Sequence, residues 1–258
     1  MIISSKDNAK IKYAKKLLTS ASFRKKEGLL LLEGQRLCED AAGNSAVIKT
    51  VFFSAKFKEK FPDSLLKLTK AAEESFEVTE DVLLKISDTE SCQGVICICK
   101  RPEIPLPIKR EGKYLVLENV SDPSNVGAAA RTAEALGTDG ILVCGGCDPF
   151  SPKVLRASMG ALMRFPVEVF AGVAMAAERL EKAGVPLYCS VVSNPDKNIG
   201  EIDFSAGCAV IIGNEANGAT DAARSLSKSC FTIPMAGRAE SLNAAAAAAI
   251  IIYEMTKG

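Results

Sequence analysis

A chain of 258 residues with 48% hydrophobic and 24% charged side chains has the make-up of one large or two ordinary folded domains, not of a disordered segment. Its formal charge of +1 points to no partner by itself, and the absence of histidine removes His-based acid–base relays and His metal ligands. Nine cysteines, an odd number without framework spacing, read as reduced thiols in a cytoplasm.

Along the chain, the first 26 residues hold eight Lys/Arg (Lys6, Lys10, Lys12, Lys15, Lys16, Arg24, Lys25, Lys26) against one acid, Asp7. Such a basic face is the footprint expected for RNA or DNA, and equally that of a solvated lysine-rich helix. Ile11, Ala14 and Leu17/Leu18 have helical spacing, which predicts a helix over 7–18. "LLLLEG" reads as a strand turning at Gly34 into a helix over 35–42, "VIKTVFFS" as a strand and 62–72 as a helix. "FEVT" is a strand, 81–86 a short helix, and "GVICIC" a last strand with Cys97 and Cys99 on one face. Residues 1–100 are thus expected to form a small α/β domain.

Pro102, Pro105 and Pro107 in "KRPEIPLPIKREGK" exclude a helix or central strand, so 101–113 is expected to be an interdomain linker. Residues 1–110 carry 20 Lys+Arg against 15 Asp+Glu, and residues 111–258 carry 12 against 16. Beyond the linker, "YLVLENV", "GILVCG", "FPVEVF", "PLYCSVV", "CAVIIG" and "CFTIPM" are aliphatic runs without polar alternation, as strands of a parallel sheet buried on both faces are. Helices are expected at 125–136, 152–159, 174–183, 219–226 and 240–255, giving a second domain over 114–258. The lone Cys144-Gly-Gly-Cys147 reads better as a strand end and its loop than as a metal half-site, and no metal is expected. The longest uncharged apolar run, 244–253, is half of the ~20 residues a membrane helix needs.

Ligands of an open α/β sheet bind beyond the carboxyl ends of its strands, which directs attention to three loops. In "ENVSDPSNVGAAARTAEALG", Asn125 is a candidate helix cap, Gly127–Ala130 leave the first turns bare, and Arg131 is a candidate anion ligand or surface ion-pair partner. In "VIIGNEANGAT", Glu215 sits in a Gly-rich turn that is neither a dinucleotide fingerprint nor a P-loop. In "FTIPMAGRAESLN", Gly237 turns the chain and Ser241 is a candidate cap for the last helix.

Together "DPSNVGAAART", "IIGNEANGA" and "IPMAGRAESLN" resemble the three motifs of the SpoU (TrmH-type) branch of the SPOUT methyltransferases, a resemblance covering about 114–255. Residues before the linker, "LLLLEGQRLCEDA" above all, are similar to the family's N-terminal RNA-binding domain, whose fold resembles ribosomal proteins that bind kinked RNA. The resemblance implies a parallel sheet closed by a trefoil knot, a homodimer formed through the C-terminal domain, and methyl transfer from S-adenosylmethionine to an RNA ribose 2′-hydroxyl. It implies that Gly213, Asn214, Gly218, Ile233, Met235 and Leu242 hold the cofactor, in good part through main-chain groups. Arg131, Asn125, Glu215, Ser241 and Asn243 would form the catalytic set, with Asn125 fixing Arg131 or the ribose. Bringing a guanidinium pKa to neutrality costs about 9 kcal/mol, so a charged Arg131 gripping a phosphate is favoured over Arg131 as base. Ribosomal RNA is the expected substrate. A transfer RNA, a catalytically silent RNA-binding protein of the same fold, and an unrelated nucleotide-dependent α/β enzyme stay as alternatives.

Overall fold

The computed structural model describes residues 2–44 and 46–257 and divides the chain into two compact units. The first takes in the chain to Glu103 together with Phe150–Arg164, and the second comprises Ile104–Pro149 and the chain from Phe165 onward.

The first unit runs β1 (Ile2–Ile3), α1 (Ala9–Thr19), α2 (Ala21–Glu27), β2 (Leu29–Glu33), α3 (Gln35–Gly43), β3 (Ile48–Phe53), α4 (Ala55–Lys60), α5 (Pro62–Ala71), β4 (Ala72–Val78), α6 (Glu80–Lys85) and β5 (Val95–Lys100). Its sheet has the order β1-β4-β3-β5-β2, with β5 antiparallel to both neighbours and the other pairs parallel. Ile11, Ala14 and Leu17, the apolar stripe of α1, are fully buried in a core with Leu31, Phe52 and Ile96. The short helix α2 was not expected. Its Arg24 folds back so that the guanidinium donates to the carbonyls of Leu17 (2.7 Å) and Leu18 (3.1 Å), satisfying the end of α1. That removes Arg24 from the basic face, while Lys10 pairs with Glu74 (2.6 Å) and Lys12 with Asp7 (2.9 Å).

The second unit holds β6 (Lys113–Glu118), α7 (Pro123–Ala135) and β7 (Gly140–Cys144); α8 (Pro152–Ala157) follows but belongs to the first unit. Then come β8 (Val167–Phe170), α9 (Val173–Lys182), β9 (Leu187–Ser190), β10 (Lys197–Asn198), β11 (Cys208–Ile212), α10 (Asp221–Leu226), β12 (Ser229–Thr232) and α11 (Ala244–Thr256). All seven strands are parallel in the order β10-β12-β9-β11-β6-β7-β8. Every residue of β7 and β11 is buried, which is why these runs carry no polar alternation. The loops after β6, β11 and β12 therefore leave the sheet at one edge.

Several expectations change. Residues 150–164 were placed with the second domain, yet α8 packs on β2, Arg156 pairs with Asp88 (2.9 Å) and Arg164 with Asp40 (2.8 Å). Asn125 does not cap α7; Asp122 does, its Oδ1 accepting from Ser124 N (2.7 Å), because Pro123 at the first helical position moves the start two residues upstream. Ser241 does not cap α11, since Asn243 holds that position.

The proline stretch has neither helix nor strand, but Ile104–Gly112 is part of the second unit rather than a free tether. Leu106 is buried in its core, and the fully buried Tyr114 clamps the segment. The Tyr114 hydroxyl accepts from Lys109 N (2.8 Å) and donates to Pro107 O (3.2 Å). Tyr114→Phe is expected to lower the unfolding free energy by about 1–2 kcal/mol, read as a shift of the urea midpoint, because Lys109 N loses its acceptor.

Candidate functional site

The carboxyl end of β6 begins the site. Glu118 is buried and accepts from Thr220 N (3.0 Å) and Thr220 Oγ1 (2.5 Å), which fixes the start of α10. Asn119 follows in the left-handed region (φ 54°), a conformation asparagine tolerates better than most residues. There its carbonyl accepts from Asn214 Nδ2 (2.9 Å), which also donates to Ser121 Oγ (3.0 Å).

Asn214 opens the loop after β11. Its Oδ1 accepts from Ala216 N and Asn217 N (both 3.0 Å), and its main chain exchanges two hydrogen bonds with Gly218 (3.0 and 2.8 Å). Gly218 has φ +67°, and a Cβ on Gly213 would lie 2.2 Å from Ala219 N, so both positions require glycine.

This closed turn presents Glu215. Its Oε1 accepts from Asp122 N (3.1 Å) and Asn125 Nδ2 (2.9 Å), and its Oε2 from Ser121 N (3.1 Å). Asn125 Oδ1 in turn accepts from Asn243 Nδ2 (2.9 Å), and Asn243 Oδ1 accepts from Ala245 N (2.9 Å) and Ala246 N (3.3 Å). The carboxylate only accepts, so it sets the polarity of the whole relay. Asn125 must turn its NH2 to Glu215 and its oxygen to Asn243, and Asn243 must turn its oxygen to the N-terminus of α11. Burial would raise the Glu215 carboxyl, but the Asn125 amide and the backbone N–H groups outweigh it and hold the pKa below the usual carboxylate range.

A cleft of about 300 Å³ lies beside this relay along the chain, between the end of β9 and the segment from β12 to α11. It is lined by Val191, Val192, Ile233, Met235, Ser241 and Leu242, with the Glu240 carboxylate also on its wall. Its volume is at the lower end for small-ligand sites, its lining is mostly apolar, and its one carboxylate suits a ligand bearing positive charge. S-Adenosylmethionine, with a flat adenine ring, a sulfonium and an ammonium group, is compatible with that apolar lining and its carboxylate.

Of the residues expected from sequence, the structure joins Asn125, Glu215 and Asn243 directly and binds Asn214 into the same loops. Ile233, Met235, Ser241 and Leu242 share the cleft. Gly213 and Gly218 shape the turn and are not among the cleft's lining. Arg131 is exposed on α7, and among the described residues it makes no hydrogen bond or ion pair; Asn125 holds Glu215 and Asn243 rather than Arg131. Glu118, Asn119, Ser121, Asp122, Thr220 and Glu240 were missed. A carboxylate ending an apolar strand was the available signal for Glu118. Burial pushes the Cys144 thiol up to about 12 and the Cys147 thiol to about 11, so neither is a thiolate at neutral pH.

Residues 112–253 match the model of the SpoU rRNA Methylase family, and residues 8–97 match the MRM3-like substrate binding domain. A 23S rRNA (guanosine(2553)-2′-O)-methyltransferase, RlmP, of Bacillus subtilis is 32% identical, covering 98% of each chain. A 23S rRNA (uridine(2479)-2′-O)-methyltransferase of Streptomyces viridochromogenes is 28% identical over 97% of this chain and 90% of its own. The crystal structure of the SpoU methyltransferase AviRb from Streptomyces viridochromogenes, in complex with the cofactor AdoMet, superposes with a TM-score of 0.88 at 25% identity, covering 97% of each chain.

The lowered pKa of Glu215 fixes the sign of an acid dependence. The unfolded chain binds the proton first, so the relay's contribution is complete above the ordinary carboxylate pKa of about 4.3 and is lost as pH falls through the lower folded value. Urea midpoints measured between pH 6 and pH 3 are expected to fall more steeply for the native protein than for Glu215→Gln.

Proposed function

The chain belongs to the SpoU rRNA methylase family, and on that premise we propose that it transfers a methyl group from S-adenosylmethionine to a ribose 2′-hydroxyl of ribosomal RNA. The observation that carries the reading is the relay from Glu215 through Asn125 to Asn243, which ties the three motif-bearing loops together and ends on the residue that follows Leu242 of the cleft.

Ile233, Met235, Ser241 and Leu242 would hold the cofactor, with Glu240 facing its positive charge and the Gly213–Gly218 turn closing the site. When bound, S-adenosylmethionine supplies an electrophilic methyl group on a sulfonium. The chain's own part is to orient the ribose and to stabilise the oxygen as it loses its proton. Glu215 is poorly suited to be the base, because three hydrogen bonds already occupy its carboxylate. Its role is to position Asn125 and, through it, the first turn of α11. Arg131, exposed and unpaired among the described residues, is available to grip an RNA phosphate in a bidentate fork and to stabilise the developing alkoxide. The proton would pass to phosphate or water.

The same reading includes a knotted path for the C-terminal segment, supported by the packing of α11 on α7 and the Asn243–Asn125 bond. It includes a homodimer through the second unit, supported by the exposed Ile250 and Tyr253 of α11, and a kink-turn type of RNA recognition by the first unit. A cytoplasmic location is supported by nine free thiols.

Mapping 2′-O-methyl sites in total RNA from cells with and without the gene tests the reaction: one ribosomal site is expected to disappear, and an unchanged map would overturn the reading. For Arg131→Ala, kcat measured by methyl transfer to ribosomal RNA is expected to fall about 100-fold or more with the cofactor Kd unchanged. Arg131→Lys is expected to recover only part of the loss, since an ammonium cannot form the fork.

A further inference from the structure

In the second unit, β9 and β10 lie on either side of β12, and all three strands run parallel. Neighbouring parallel strands are ordinarily joined by about a dozen residues or more. Here residues 191–196 alone lead from β9 to β10, so they straddle β12 as a short strap. Its two feet rest on opposite edges of that strand. Val191 N donates to Phe231 O (2.8 Å), and Asp196 N donates to Cys230 O (2.8 Å). Between them Asn194 turns the chain at φ 52°, in the left-handed region that asparagine tolerates.

The strap carries part of the cleft. Val191 and Val192 belong to the lining, and Val192 is 63% exposed, an apolar surface that a ligand would cover. What holds these residues lies outside the lining. Asp196 Oδ2 accepts from both Cys230 N (2.7 Å) and Ser229 Oγ (3.1 Å), so one oxygen fastens the second foot to β12. Arg224 of α10 braces the middle, its Nη1 donating to Ser193 O (3.3 Å). Among the described residues, that is the one hydrogen bond made by 192–195.

We propose that Asp196 is a positioning residue for the methyl-donor site, pinning the strap so that Val191 and Val192 stand as a fixed wall of the cleft, with Arg224 as its brace. An exposed strap without its pins would sample many conformations, and a ligand could use that wall only by ordering it at its own expense. Pinning in advance removes the cost from binding. The wall is aliphatic and has no group that could act on a methyl or a proton. Its contacts are therefore the same before and during the reaction, and their loss raises KM without lowering kcat. The inference rests on the methyltransferase reading, since it takes the cleft as the place of the cofactor.

The test uses the full chain, with S-adenosylmethionine and S-adenosylhomocysteine as titrants and hydrogen exchange as a second readout. Asp196→Ala is expected to raise both Kd values by about tenfold and to speed amide exchange over 192–194. Equal factors are expected because the homocysteine compound lacks the sulfonium charge, so a carboxylate that attracted that charge would affect S-adenosylmethionine alone. KM for the cofactor should rise with kcat unchanged. Asp196→Asn is expected to restore native binding, because its single amide oxygen can accept both bonds that Oδ2 accepts. Arg224→Met should weaken binding in the same direction, and it carries the test if Asp196→Ala does not fold. Unchanged Kd values in both Asp196→Ala and Arg224→Met, weakening of S-adenosylmethionine alone, no rescue by Asp196→Asn, or a lower kcat at unchanged KM would each overturn the proposal. Faster exchange in the strap at an unchanged Kd would overturn this inference alone. A native protein that binds neither titrant would overturn the methyltransferase reading itself.

Discussion

One carboxylate organises the second unit. Glu215 gathers two backbone N–H groups and one side-chain amide from a loop some ninety residues earlier in the chain. Because it only accepts, it dictates the orientation of Asn125, which dictates that of Asn243, which caps α11. Three loops that a parallel sheet delivers to one edge would otherwise be separate mobile elements. Hydrogen bonds to a charged acceptor are among the stronger ones proteins make, and here they are spent on registering loops with one another rather than on reaction chemistry.

The small residues of α7 and α11 make this relay possible. Gly127, Ala129, Ala130 and Ala133 are buried on α7, and Ala248, Ile251 and Ile252 on α11, so the two helices pack directly. A short amide such as asparagine spans from one to the other only if the backbones approach closely. The alanine tract is thus set by the reach of Asn243 as much as by hydrophobic burial. This also explains why the helix starts at Ala244 and not at Glu240: the polar residues before it belong to the cleft and the cap.

Much of this was legible in the residues. The unbroken aliphatic runs of β7 and β11 announced a sheet covered on both faces, and the stripe of Ile11, Ala14 and Leu17 announced the core face of α1. The three loops were visible as places where glycine, asparagine and acids concentrate. Their partners were not. Glycine and proline spacing shows where a chain turns, but a hydrogen bond between residues ninety or more apart leaves no local trace. Hence Asn125 looked like a cap when it was a relay, and Ser121 and Asp122, which contribute only backbone N–H groups to Glu215, gave no signal at all. Arg24 misled in the opposite sense. Counted as surface charge, it is a buried cap, because composition cannot tell which cations fold inward. The same holds for residues 150–164, which join the first unit through the ion pairs of Arg156 with Asp88 and Arg164 with Asp40, side chains distant in sequence.

The last partner of the relay, Asn243, lies 118 residues after Asn125 and is made after both other members. Synthesis runs from the N-terminus, and domains fold as they emerge, so the first unit and most of the parallel sheet can form while Asn125 and Glu215 are still without their third member. A growing chain would therefore handle RNA before it could hold its loops in register. Contacts of such long sequence separation also form late in folding, since closing the intervening chain costs entropy before any bond is gained. A copy that stopped short of Asn243 would lack the residue that joins the loop of Asn125 to the start of α11.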